Sequence, residues 1–359
     1  MLLKNFFKSF PYIIKPQLTV LTDPLRSRFY NFVNPATLFA KNVYRLLNRK
    51  KFYILFPKFN GHYAVTRSIC EGLKKISFDY NYNPKNLDRV ADHVVIPWGV
   101  QALRQALELK KHKKIKKIFT GPNIVISPKE HKGILLNSEI DGLINHCQYA
   151  FEHWTRDNKH LKPKCYEWAA GVDIKYWLPN RIANSKIKKI LFFDKHVGPG
   201  TDKNRTHPYI FLIKKYGFQF SFISRIGESG YSKEKFLKEL LNSSLLIGFT
   251  KYHGESQGIA WAEAWSTNVP TLIHQQDQAI WNGNKFPTHS APFISPQTGD
   301  LFSDPNDFYF KFDNWIKGRY CFSPRNWVVQ NMSDEKSAYR LIDIVFNPKT
   351  ASQKLPFSP

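Results

Sequence analysis

The chain has 359 residues, room for two domains of about 150 residues each. Its composition is 42% hydrophobic and 15% aromatic, which supplies real cores and excludes general disorder. Lys and Arg outnumber Asp and Glu by 53 to 28, and the resulting net charge of +25 predicts an anionic partner while leaving nucleotides, anionic lipid head groups and nucleic acid all open.

Residues 1–44 mix Leu2, Leu3, Phe6, Phe7 and Phe10 with Lys4, Lys8 and Lys15. No stretch approaches the ~20 apolar residues that cross a bilayer. The segment is expected to be a basic, aromatic arm, irregular around Pro24 and Pro35, that either packs on the first domain or lies in a membrane interface. The first sheet strand is predicted at 52–56 (FYILF), followed by a turn at Gly61 and a helix over 62–75, a β-α unit.

Further strands are predicted at 94–96 and 118–120, and their loops at Trp98 and Gly99 and at Gly121 to Asn123 are candidate acceptor-site walls, because ligands gather at the carboxyl ends of strands in open α/β sheets. The helix between them, 101–109, runs into Lys110, Lys111, Lys113, Lys114, Lys116 and Lys117. Such a run is a solvated helix end at the negative pole of the dipole, or a contact with an anionic membrane at roughly 1 kcal/mol per basic residue. A strand at 141–144 and a helix at 148–158 follow.

The polar stretch 180–189 is a compositional boundary that agrees with a first domain over 45–180 and a second over 181–345, and 346–359 is expected to be a flexible tail. The second domain is predicted to open with a strand at 189–193 and a loop carrying Lys195, Lys203 and Arg205, then to continue with a strand at 218–224, a helix at 231–241 and a strand at 245–249. Strands alternating with helices in both halves predict an α/β fold. Cys70, Cys147, Cys165 and Cys321 have no paired spacing, which fits free thiols in a reducing compartment.

The chemistry is concentrated after the strand at 245–249. Gly254, Ser256 and Gly258 interrupt the apolar pattern, and a helix is predicted from about Gln257, with Ser256 as N-cap, to the stop at Asn268 and Pro270. A helix start with unpaired N–H groups suits a phosphate. Glu255 precedes it on the ligand side, and Glu263 lies about two turns in, where a carboxylate accepts hydrogen bonds from a vicinal diol.

Glu255, Gly258, Glu263, Ala264, Pro270 and the apolar strand after them resemble, in order, the E-x7-E signature of retaining glycosyltransferases of the family 4 type. Gly171, Val172 and Asp173, followed by Tyr176, Trp177 and Pro179, resemble the end of that family's first domain. The resemblance implies the GT-B architecture, two doubly wound Rossmann-like domains with a cleft between an acceptor-side and a donor-binding half. It implies that Glu255 lies by the donor sugar, that Glu263 holds the ribose hydroxyls, and that Ser256, Gln257, Gly258 and Ile259 line the donor phosphates. The family's Arg and Lys after the first strand of the second domain would be Lys195 and Lys203, with Arg205 also on the donor; Lys at 195 departs from the family's Arg and loses its bidentate geometry. On the acceptor side the family's glycine pair is represented here by Gly61 and His62.

The implied activity is transfer of a sugar from a nucleotide diphosphate sugar, with retained anomeric configuration, no metal and no cofactor beyond the donor. The implied acceptor is a saccharide or a lipid-linked one, the implied place the cytoplasm or the membrane periphery, and no nucleic acid is expected. Two other classes stay open: a catalytically silent GT-B-like module that binds an anionic partner, and, on charge alone, a basic nucleic-acid-binding protein.

Overall fold

A computed structural model of the chain describes residues 17–23, 61–84, 89–179, 187–195, 206–224, 231–250, 254–281 and 284–357. The strand expected at 52–56, most of the arm over 1–44, and Lys203 and Arg205 lie outside the described residues.

The first sheet contains β1 (Leu18–Thr22), β2 (Tyr80–Tyr82), β3 (His93–Trp98), β4 (Lys117–Asn123), β5 (Gly142–Asn145) and β6 (Cys165–Glu167), in the order β2-β1-β3-β4-β5-β6. Every pairing in it is parallel. A parallel sheet must be covered on both faces, and the alternation of side chains along each strand shows how that is met. Val94 and Ile96 of β3 point to one face, into a core with α2 (Val100–Lys111) and α3 (Gln148–Thr155). Val95 points to the other, into a core with α1 (Gly61–Lys75) and the C-terminal helix Asp334–Phe346.

The second sheet contains β7 (Lys189–Asp194), β8 (Gln219–Ser224), β9 (Leu245–Phe249), β10 (Thr271–His274) and, after an antiparallel hairpin of β11 (Gln278–Trp281) and β12 (Asn284–Pro287), β13 (Gly299–Phe302). Its order is β13-β10-β9-β7-β8, again all parallel. Ile190 and Phe192 face a core with α4 (His207–Lys215) and α7 (Pro305–Ile316), whereas Leu191 and Phe193 face one with α5 (Lys233–Leu241), α6 (Ile259–Ser266) and α8 (Pro324–Asn331).

Three expectations are corrected. The arm over 1–44, expected to precede the first strand, contains β1, whose residues are buried and which pairs with β2 and β3 in the interior of the sheet. Its five residues LTVLT are short and enclosed by Pro16 and Pro24, so the β-branched run is weak as a signal but strong as a sheet element once neighbours cover both faces. The helix Asp334–Phe346, here α9, does not stay with the second unit. Ala338, Leu341, Ile344 and Val345 complete the first unit's core, and Asp334 binds Arg67 and Lys75 of α1.

The tail after residue 346 is docked, not loose. The Glu167 N–H of edge strand β6 donates to the Gln353 carbonyl (2.8 Å), and the Leu355 N–H donates to Glu167 Oε2 (3.1 Å). Leu355 is buried, and Phe357 meets the rings of Trp327 and Phe293. An edge strand with open backbone groups is a template for pairing, and the tail covers it.

The basic run behind α2 is partly neutralised. Lys110 and Lys117 both reach Asp141, at 2.7 and 2.8 Å, and Lys116 reaches Asp92 at 2.7 Å. Among the described residues no helix is long and apolar enough to cross a membrane, and Cys70, Cys147, Cys165 and Cys321 are all free thiols.

Candidate functional site

In the second sheet β7 has β8 on one side and β9 on the other, so the strand order reverses between β7 and β9. A crevice opens outside the carboxyl ends of strands at such a point. Lys195 follows β7 there, its N–H donating to the Phe249 carbonyl at the end of β9 (2.9 Å). Its Nζ lies 3.1 Å from Glu255 Oε1 and 4.2 Å from the centroid of the Trp261 ring. The two side chains are only 11% and 16% exposed. A carboxylate and an aromatic face thus hold one ammonium group at the switch point.

The loop into α6 turns on Gly258, whose φ of +62° places it in the left-handed region that glycine adopts without a Cβ clash. Gly258 is the N-cap, and no side chain caps the helix. The expected start at Gln257 with Ser256 as cap is therefore displaced by two residues. Tyr149, at the start of α3, lies beside Ser256 and Thr288, so the first unit reaches into this loop.

Glu263 lies on α6 with its carboxyl group buried. The Tyr231 hydroxyl donates to Oε2 at 3.3 Å. Burial pushes the carboxyl pKa up to about 8, against the pull of the nearby Lys233, Arg67 and Lys195 charges. Lys233 stands 3.5 Å from the centroid of the Tyr176 ring, and burial lowers its pKa. The Ile259 side chain packs against the core of the first unit.

Gln257 is buried, and its side chain points into the first unit. The Gln257 amide oxygen lies 2.7 Å from His146 Nδ1, and His146 Nε2 lies 2.7 Å from Asn123 Oδ1. Burial lowers the His146 pKa to about 3, so the ring is neutral. Gly61 is the first residue of α1, and His62 after it is exposed and stacked on Trp98 at 5.6 Å. The Trp98 indole N–H donates to Thr66 Oγ1 (3.1 Å), which locks the ring. His62 lies close enough to His146 to act on its charge.

The structure therefore brings Lys195, Glu255 and Glu263 together in the second unit, and places Gln257 and His62 near His146 of the first. Sequence reasoning missed Arg67, His146, Tyr149, Tyr231 and Lys233. His146 and Tyr149 follow β5 at its carboxyl end, and the rule that singled out the Trp98 and Asn123 loops applies equally there.

No protein-family model matches the chain, and no curated protein matches it. Solved structures do. Alr3699/HepE of Anabaena, in complex with UDP and glucose, aligns with a TM-score of 0.52 at 10% identity over 92% of this chain and 100% of its own. The same protein in complex with UDP aligns at 0.53, with the same identity and coverage. The fold is GT-B. The apo lipopolysaccharide outer core galactosyltransferase WaaB aligns at 0.48, with 11% identity over 92% of this chain and 99% of that one. At such identities the likeness establishes two Rossmann-like units and leaves the chemistry to the side chains.

Proposed function

We propose that the chain is a glycosyltransferase that moves a sugar from a nucleoside diphosphate sugar to an acceptor hydroxyl with retained anomeric configuration. The observation that carries the reading is the Lys195–Glu255 pair at the β7/β9 switch point, with the α6 N-terminus and Glu263 behind it. The UDP held by HepE on the same fold supports a nucleoside diphosphate as the ligand class.

In this reading the anomeric carbon's bond to the β-phosphate oxygen breaks, and negative charge grows on the departing diphosphate. Lys195 and the first amides of α6 stabilise that charge, a preorganised electrostatic role. Glu255 holds Lys195 and flanks the sugar. The acceptor oxygen forms the new bond on the same face, and its proton passes to the departing phosphate, so this route requires neither an enzymic base nor a metal. Glu263 takes the ribose diol once Tyr231 yields its place. Lys203 and Arg205 would add charge beside the diphosphate. His62, on its Trp98 platform, lies on the acceptor side. The acceptor is a saccharide or a lipid-linked one, and the net charge of +25 supports peripheral contact with an anionic membrane.

The test is a thermal-shift panel of nucleoside diphosphates and their sugars on the full chain, since a ligand that binds only the native state raises its melting point. A shift with one nucleotide that vanishes in Glu263→Ala supports the reading. Absence of any shift, together with salt-sensitive binding to RNA or DNA, would replace it with the nucleic-acid alternative.

A further inference from the structure

The loop that opens α6 belongs to the second unit, yet the group that orients it comes from the first. Gln257 is fixed at both ends of its amide: Oε1 accepts from the Ala170 N–H (3.1 Å), and Nε2 donates to the Ala170 carbonyl (3.4 Å). That arrangement sets which end is the acceptor. The nitrogen of His146 facing Oε1 at 2.7 Å must therefore carry a hydrogen, and the neutral ring is the Nδ1–H tautomer. Its other nitrogen is then an acceptor and faces the Asn123 amide at 2.7 Å, which pairs with it when turned to present Nδ2–H, at the end of β4 on the candidate acceptor wall. His146 and Gln257 are 3% and 6% exposed, so water does not replace a lost bond without an opening.

We infer that His146 is a positioning residue, one whose Nδ1–H fixes Gln257 and with it the turn at Gly258 from which the first amides of α6 project toward the donor site. The donor arm of this inference rests on the proposed function, while its geometric core does not. A first-unit residue thereby sets the shape of a second-unit loop, and the Asn123 wall is tied to the donor loop through one imidazole.

Hydrogen exchange of the ligand-free full chain tests it. In His146→Ala, amides over residues 254–262 should exchange about tenfold faster, the loss of one buried hydrogen bond. His146→Asn, whose side-chain N–H can take the place of Nδ1–H, should restore most of the protection. Gln257→Leu removes the acceptor and keeps the imidazole, and should give the same local rise; this variant decides the question alone if His146→Ala does not fold. Unchanged exchange at 254–262 in Gln257→Leu, or an Asn variant no better than Ala, overturns the inference. Calorimetry with UDP then separates the two readings. Wild-type chain that binds UDP, with affinity about tenfold lower in His146→Ala, supports both. Wild-type chain that does not bind UDP counts against the proposed function, and the exchange result still decides the role of His146.

Discussion

Lys195 and Glu255 form an ion pair, Nζ to Oε1 at 3.1 Å, across the gap between the end of β7 and the loop into α6. Neither residue is placed by its neighbours in sequence. The Lys195 backbone is tied to β9 through the Phe249 carbonyl, and the Glu255 N–H is tied to the His289 carbonyl at 2.8 Å. The pair is held by the sheet on one side and by the segment after β12 on the other, so each partner has a fixed anchor.

On the proposed function, Lys195→Ala should reduce sugar transfer about 10²-fold, the usual cost of losing one preorganised charge at a developing anion. Glu255→Gln should lose a comparable amount by freeing the ammonium group. Both should melt within a few degrees of the wild type, because the backbone ties remain and, in Glu255→Gln, the Trp261 face still holds the ammonium group. Steady-state rates and melting curves on the same preparations check this. Loss of folding in step with loss of rate would make the pair a structural clamp.

Glu263 should make stability depend on pH in a defined direction. Burial lifts its pKa to about 8 in the folded chain, above the ordinary 4.5 of the unfolded one. The unfolded chain releases this proton first, so the contribution is complete below about pH 4.5 and is lost as pH rises toward 8, at ~1.4 kcal/mol per unit of pKa difference. Glu263→Gln removes that loss. The melting point of the variant relative to wild type should climb between pH 5 and about 8 and then level off. A difference that is flat in pH would mean that Glu263 is ionised in the folded protein.

Asp334 is completely buried and accepts from Arg67 Nη1 and Nη2, at 2.9 and 2.8 Å, and from Lys75 Nζ at 2.8 Å. Removing one partner of such a cluster leaves charges without compensation, at a cost of about 3–5 kcal/mol. Asp334→Ala should lower the urea midpoint markedly and should speed exchange in both α9 and α1. Asp334→Asn, which keeps the acceptor oxygen, should lose less. Equal midpoints for Ala and wild type would show that α9 is held by its apolar face alone.

Deleting residues 349–359 should destabilise the first unit even though the described part of the segment, 349–357, carries no helix or strand. It removes the partner of the Glu167 N–H and the N–H that meets Glu167 Oε2, with Glu167 itself 0% exposed. Leaving such groups unpaired costs about 1–3 kcal/mol. A lower melting midpoint, with faster exchange at β6, is the expected result, and a truncated chain that melts with the wild type would contradict the docking.

The α/β class was legible from the sequence because it rests on local alternation: apolar runs of strand length, each closed by a turn and followed by a helix. β9, with LLIGF wholly buried, is the clearest case. The two glutamates around the α6 start were legible for the same reason, since spacing on one loop and helix is a local property. β1 was not, because three apolar residues and two threonines between prolines acquire a strand's identity only from the neighbours that pair with them. Nor were the partners of the glutamates. His146 is 111 residues from Gln257, and Lys195 is sixty residues before Glu255. Which charges meet, and which carboxyl is shut away from water so that burial rather than its neighbours sets its pKa, depends on distances in space. Only the packing of the two sheets and of α9 against the first unit decides those.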